Sequence, residues 1–122
     1  MWIFTPNSFL SVVAPLPGTK AAREDQLVVR ARVKGDIEAI FGNKYPVEYT
    51  RDRDYAFRAL IPRDDVVKAV ADSVKNIEYR NFKNQVKNKV RAKAYTRVWG
   101  VMNDLQNAFG HGGLYNDPKW FT

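Results

Sequence analysis

The sequence predicts an α+β domain, a mostly antiparallel sheet with helices packed on one face, and three observations carry that expectation. Short β-branched and aromatic runs separated by turn residues fill the first half of the chain. A segment after residue 62 repeats valine at helical spacing, and the chain beyond it continues in helical patterns without a further strand. Hairpins beside clustered helices, without strict strand–helix alternation, argue against a parallel sheet.

The elements follow in order. Trp2–Thr5 and Phe9–Val13, parted by Pro6-Asn7-Ser8, read as a hairpin or one bent strand, and Pro15-Leu16-Pro17-Gly18 closes the unit. Thr19 to Gln26 is polar and reads as a surface loop. Leu27–Val33 alternates, with Leu27, Val29, Ala31 and Val33 facing the core and Arg30 and Arg32 outward. Asp36 is placed to accept from the free amides of a short helix whose apolar side is Ile37, Ile40 and Phe41. Gly42 stops that helix. Val47–Thr50 and Tyr55–Ile61 are the next strands, joined through Arg51-Asp52-Arg53-Asp54. Pro62 opens a helix with Asp64 and Asp65 near its positive end, and Val66, Val67, Val70, Val74 and Ile77 form its apolar stripe. From Leu27 to Ile77 the order β-α-β-β-α begins a ferredoxin-like unit. From Asn81 two apolar stripes at different phases, Phe82/Val86/Val90 and Tyr95/Val98/Trp99/Met102/Leu105/Phe109, predict two helices or one kinked between Lys89 and Lys93. Residues 1–113 are expected to form one domain and 114–122 an aromatic tail, after the Gly110-His111-Gly112-Gly113 break.

With 122 residues, 45% hydrophobic and 13% aromatic, the chain has the apolar content for a packed core. It has no cysteine, which excludes a disulfide framework, a thiolate nucleophile and a cysteine-containing zinc site. Met1-Trp2-Ile3-Phe4-Thr5-Pro6 lacks the basic leader and long apolar run of a signal peptide, and no stretch reaches the ~20 apolar residues of a membrane span. A cytoplasmic location is expected, without membrane partners.

Catalytic and metal signatures are absent. The single histidine, His111, lies between glycines, and three serines offer no nucleophile–base spacing. Asp64-Asp65 are explained by the helix start and Asp52/Asp54 by their alternation with arginines, so neither pair predicts acid–base or metal chemistry. No cofactor is expected, and the chain reads as non-enzymatic; only a pocket gathering several polar groups would revive an enzyme reading.

Charge offers more. The formal net charge is +7. Up to Ile61 nine Lys and Arg oppose seven Asp and Glu; from Pro62 eleven oppose six. Tyr79–Asn103 carries Arg80, Lys83, Lys87, Lys89, Arg91, Lys93 and Arg97 with no acid between them. Such a field attracts an acidic protein surface or a nucleic acid. On a continuous helix Lys83, Lys87 and Arg91 would form one stripe, either gripping a polyanion or simply solvating the outer face. Candidate polyanion- or partner-binding residues are therefore Arg80, Lys83, Lys87, Arg91 and Arg97. Tyr55 and Phe57 are candidates for base stacking, since Arg53, Tyr55, Ala56 and Phe57 match the ribonucleoprotein strand motif of RNA-recognition domains. Asp54, Arg58 and Leu60 depart from that motif, and packing against the core is the competing role for both aromatics. Tyr115, Trp120 and Phe121 form a candidate docking tail.

Met1-Trp2-Ile3-Phe4-Thr5, Phe9–Val13, Leu27–Arg32, Tyr79-Arg80-Asn81-Phe82-Lys83 and Tyr95-Thr96-Arg97-Val98-Trp99-Gly100-Val101-Met102 together resemble a group of small bacterial and phage-associated proteins. The resemblance reaches to about Met102 and excludes the tail. It implies a bacterial or phage setting and supplies no activity or mechanism. The expected function is a small binding module acting on another protein through its basic face or aromatic tail, as a regulator or an inhibitor of a host machine. The alternative is a nucleic-acid-binding domain. Oligomeric state is left open.

Overall fold

The computed structural model describes residues 1–111. The predicted tail, with Tyr115, Trp120 and Phe121, lies outside them. The chain falls into two compact units, Met1–Arg80 and the segment from Asn81 onward.

The first unit is α+β, built on a five-stranded antiparallel sheet. Strand β1 (Trp2–Thr5) pairs with β2 (Ser8–Val13) across the Pro6-Asn7 turn, with Thr5 opposite Ser8, so the N-terminal runs do form a hairpin. The loop expected next contains a single helical turn, α1 (Lys20–Arg23), capped by Thr19, whose hydroxyl accepts from the Ala22 amide. Strand β3 (Gln26–Ala31) is central and pairs with β2 and with β5 (Phe57–Pro62). Between them run helix α2 (Asp36–Phe41) and the short edge strand β4 (Glu48–Tyr49), which pairs with β5. Helix α3 (Arg63–Lys75) follows β5 directly. The sheet order is β1-β2-β3-β5-β4. The predicted β-α-β-β-α order is thus present as β3-α2-β4-β5-α3. Its fourth strand position, beside β3, is taken by β2 from the N-terminal side.

The registers assign every side chain to a face. Leu10 opposes Ala31, Val12 opposes Val29, and Val29 opposes Ala59, so these residues share the inner face with Ile61. Ile37 of α2 and Val66 of α3 complete this core, and both helices therefore lie on that face. Phe57 and Val70 pack against it. Val33, expected inside, is exposed because β3 ends at Ala31.

Two expectations about α2 and α3 need correction. Gly35, in the left-handed conformation, occupies the N-cap of α2. Asp36 is instead the first helical residue; only 3% exposed, its carboxylate accepts from the Phe9 amide of β2 at 2.9 Å. The carboxylate predicted to cap the helix thereby ties α2 to the hairpin. In α3, Val66 is 3% exposed but Val67 is 60% exposed, so the apolar stripe is narrower than the valine spacing implied. Gly42 does terminate α2, at φ 69°, a backbone conformation costly for residues with a Cβ.

The second unit opens with a 3-10 turn, Lys83–Gln85, followed after Lys87 and Asn88 by helix α4 (Lys89–His111). Asn88 starts α4: its side-chain oxygen accepts from the Arg91 amide at 2.9 Å. The Phe82 and Tyr95 rings stack at 5.9 Å, which seats the turn on the first half of the helix. Among the described residues no helix is long and apolar enough to cross a membrane.

A candidate anion site on the outer sheet face

The face of the sheet turned away from α2 and α3 carries the even-numbered residues of β3 and β5. Val28 opposes Leu60 there, and Arg30 opposes Arg58. Directly opposed side chains have Cβ atoms about 4.5–5.5 Å apart, and like charges in that position repel. An arginine pair at the centre of a sheet therefore needs a compensating feature.

Tyr55, just before β5, supplies part of it. Tyr55 is 4% exposed, and two guanidinium groups lie against its ring: Arg30 Cζ is 4.5 Å and Arg32 Cζ 4.1 Å from the centroid. Arg58 Nε reaches the Tyr55 carbonyl oxygen at 3.4 Å. Three arginines thus converge on one residue, through its π face and its backbone acceptor. Their charges are not equally balanced. Arg32 donates from Nη1 to the Asp54 carboxylate at 2.9 Å and to the Asp54 carbonyl at 2.7 Å, and this bond holds its pKa above the usual arginine value. Arg30 donates from Nη2 to the buried Ser11 hydroxyl at 2.7 Å, while its Nε is buried with no hydrogen-bond partner. Neither Arg30 nor Arg58 has an acid within ion-pair distance among the described residues, although Glu48 of β4 stands opposite Arg58 in the register. Arg58 is pulled below the usual arginine value, first by burial and then by the positive charges of Arg53 and Arg30, with Glu48 and Asp54 opposing the shift.

Beside Arg58 the face opens into a cavity of about 450 Å³, lined by Val28, Pro46, Val47 and Leu60 and by the acidic residue Glu48. The neighbourhood combines an under-neutralised arginine pair with an apolar recess. That combination can hold an anionic group and an adjoining aliphatic or aromatic body. A second cleft, of about 400 Å³ between α2 and α3, gathers Lys44, Tyr45, Asp65, Lys68 and Asp72. Its charges are already paired: the Tyr45 hydroxyl donates to Asp65, Lys44 lies 3.7 Å from Asp65, and Lys68 lies 2.8 Å from Asp72. The hydrogen bond to Asp65 also holds the Tyr45 hydroxyl above the usual phenol range, so it stays protonated. Among the described residues no group of three or more potential metal ligands occurs.

The sequence-predicted residues are distributed differently from the expected stripe. Arg80 ends the first unit and is exposed. Lys83 lies in the 3-10 turn with its Nζ over the Trp99 ring at 4.5 Å. Lys87 precedes α4 and donates to the Asn84 carbonyl at 2.9 Å. Arg91 is half-buried, and its Nη1 reaches the Tyr95 hydroxyl at 3.2 Å. Arg97 is exposed on α4. Lys83, Lys87 and Arg91 form no helical stripe, because only Arg91 of the three is in α4. Base stacking is likewise unsupported by the geometry: Phe57 packs on the core side, and the Tyr55 ring is covered by Arg30 and Arg32. Arg58 and Ser11 were not singled out from sequence. Their only signal was parity along the strands, and the pairing register that brings them beside Arg30 is not encoded in either strand alone. No known protein family, characterised protein or solved structure matches the chain.

Proposed function

We propose that the protein is a non-enzymatic binding module that docks an acidic, apolar-flanked segment of another protein on the outer face of its sheet. The observation that carries this reading is the cross-strand pair Arg30–Arg58, which no carboxylate holds in an ion pair among the described residues, Glu48 opposite Arg58 included. Unlike the Lys44–Asp65 and Lys68–Asp72 pairs, it gains from an incoming negative charge. The adjoining apolar recess favours a polypeptide over a nucleic acid, because Val28, Val47 and Leu60 suit an aliphatic side chain. Regulation or inhibition of a partner follows from occupying that partner's acidic segment.

The test is fluorescence anisotropy of the full chain with two probe sets, acidic peptides carrying Leu or Val beside Asp and Glu, and single- and double-stranded oligonucleotides. Wild type is compared with Arg58→Glu. Peptide binding that survives at about 0.15 M salt and disappears in the variant supports the reading. Oligonucleotide binding retained at that salt, with a log–log slope of about −0.9 per phosphate contacted and no peptide binding, overturns it in favour of a nucleic-acid-binding domain.

A further inference from the structure

The arginine pair has more donor capacity than a single carboxylate uses. Arg30 keeps Nη1 and Arg58 both Nη groups outside any hydrogen bond among the described residues, and Glu48, opposite Arg58, lies outside ion-pair distance. Arg53 adds a third positive charge near Arg58, where Glu48 and Asp54 act in the opposite sense. A carboxylate brings one negative charge and two oxygens. A phosphoryl group brings close to two charges and three acceptor oxygens, and guanidinium forks match it in pairs. Resting on the reading above, we propose that Arg30 and Arg58 together accept one phosphoryl group, carried by a phosphorylated side chain in the partner segment, with the flanking apolar residue seated against Val28 and Leu60.

Position supports this choice. Arg30 is fixed through Nη2 by Ser11 and along its plane by the Tyr55 ring, so its guanidinium is held in place and little freedom is lost on binding. Arg58 is oriented by the Tyr55 carbonyl. Arg32, which flanks them, is occupied by Asp54 and cannot be counted as a donor for the ligand.

The experiment is isothermal titration of the full chain, at constant ionic strength, with three probes: a phosphoserine peptide flanked by leucine, the same peptide with glutamate at that position, and inorganic phosphate. The phosphopeptide is expected to bind at least tenfold more tightly than the glutamate peptide. Arg58→Gln is expected to remove at least tenfold of that affinity, and Arg97→Gln, in the other unit, less than twofold. Should Arg58→Gln fail to fold, Arg58→Lys keeps the charge, removes the planar fork and reads the same loss at smaller size. Equal affinity for the two peptides overturns the phosphoryl assignment while leaving the protein-binding reading intact. Inorganic phosphate binding as tightly as the phosphopeptide keeps the phosphoryl site but overturns the partner segment. Affinities unchanged in Arg58→Gln overturn the site itself.

Discussion

Replacing Val66 and Val67 one at a time by alanine separates the face of α3 that packs from the face that does not. The two residues are adjacent and chemically identical, and both belong to the stripe that valine spacing suggests. In the structure Val66 is 3% exposed inside the core formed by Leu10, Val29, Ile37 and Ile61, whereas Val67 is 60% exposed. Val66→Ala removes two buried carbons at about 0.8 kcal/mol each. The space left behind relaxes only in part and brings the cost to about 2 kcal/mol. For a unit of this size that lowers the melting temperature by roughly 8–16 °C. Val67→Ala loses little burial and gains about 0.5 kcal/mol of helix propensity, so its stability should equal or slightly exceed that of the wild type. Urea unfolding followed by far-UV circular dichroism reads both, with the denaturant slope checked for constancy. A Val67→Ala loss as large as that of Val66→Ala refutes the assigned helix face, since one residue rotates the contact by a full 100° about the helix axis.

Asp36→Ala should destabilise the first unit by about 2 kcal/mol, because the Phe9 amide loses a charged acceptor in a buried setting, and hydrogen exchange at that amide should accelerate; unchanged exchange refutes the tie between α2 and β2. Lys68 holds the Asp72 carboxyl below the usual carboxylate range through a 2.8 Å hydrogen bond. Whatever stability the pair contributes is present above the ordinary carboxylate pKa and is lost as pH falls through the depressed one. Lys68→Ala should therefore move the Asp72 titration upward in an NMR pH series, and an unmoved titration refutes the contact.

Period-2 and helical patterns made most of the fold legible. The hairpin, β3, β5 and α3 follow from alternation and valine spacing that tertiary structure did not override. One misreading comes from a partner distant in sequence. Asp36 has the identity of a helix cap, but Gly35 takes that place and leaves the carboxylate for Phe9, which only the folded chain brings near. Val67, Val74 and Ile77 keep helical spacing although they are exposed. The helical stripe Lys83, Lys87 and Arg91 fails for a local reason: i, i+4 spacing does not hold across a segment that is not one helix. Asn88 was the available signal, since its side chain favours a helix start over a helix interior. The Arg30–Arg58 pair was half visible. Alternation turned Arg30 outward, but the identity of the residue opposite depends on a register set by α2, β4 and the turn between them.

The place of β3 in the sheet has a consequence for how the chain reaches this structure. The β1–β2 hairpin closes through two residues and can form within microseconds. Pairing β3 with β5 must first enclose everything from Arg32 to Ala56, an entropic cost met before any contact across that gap repays it. Because β3 has a partner on each side, the early hairpin offers it a template, and the late arrival of β5 sets the pace. Substitutions at the β3–β5 seam, such as Ala59 or Ile61, are then expected to change the folding rate more than those in the hairpin turn. Until β5 docks, the open edge of β3 is the part of the nascent sheet most exposed to pairing with another chain.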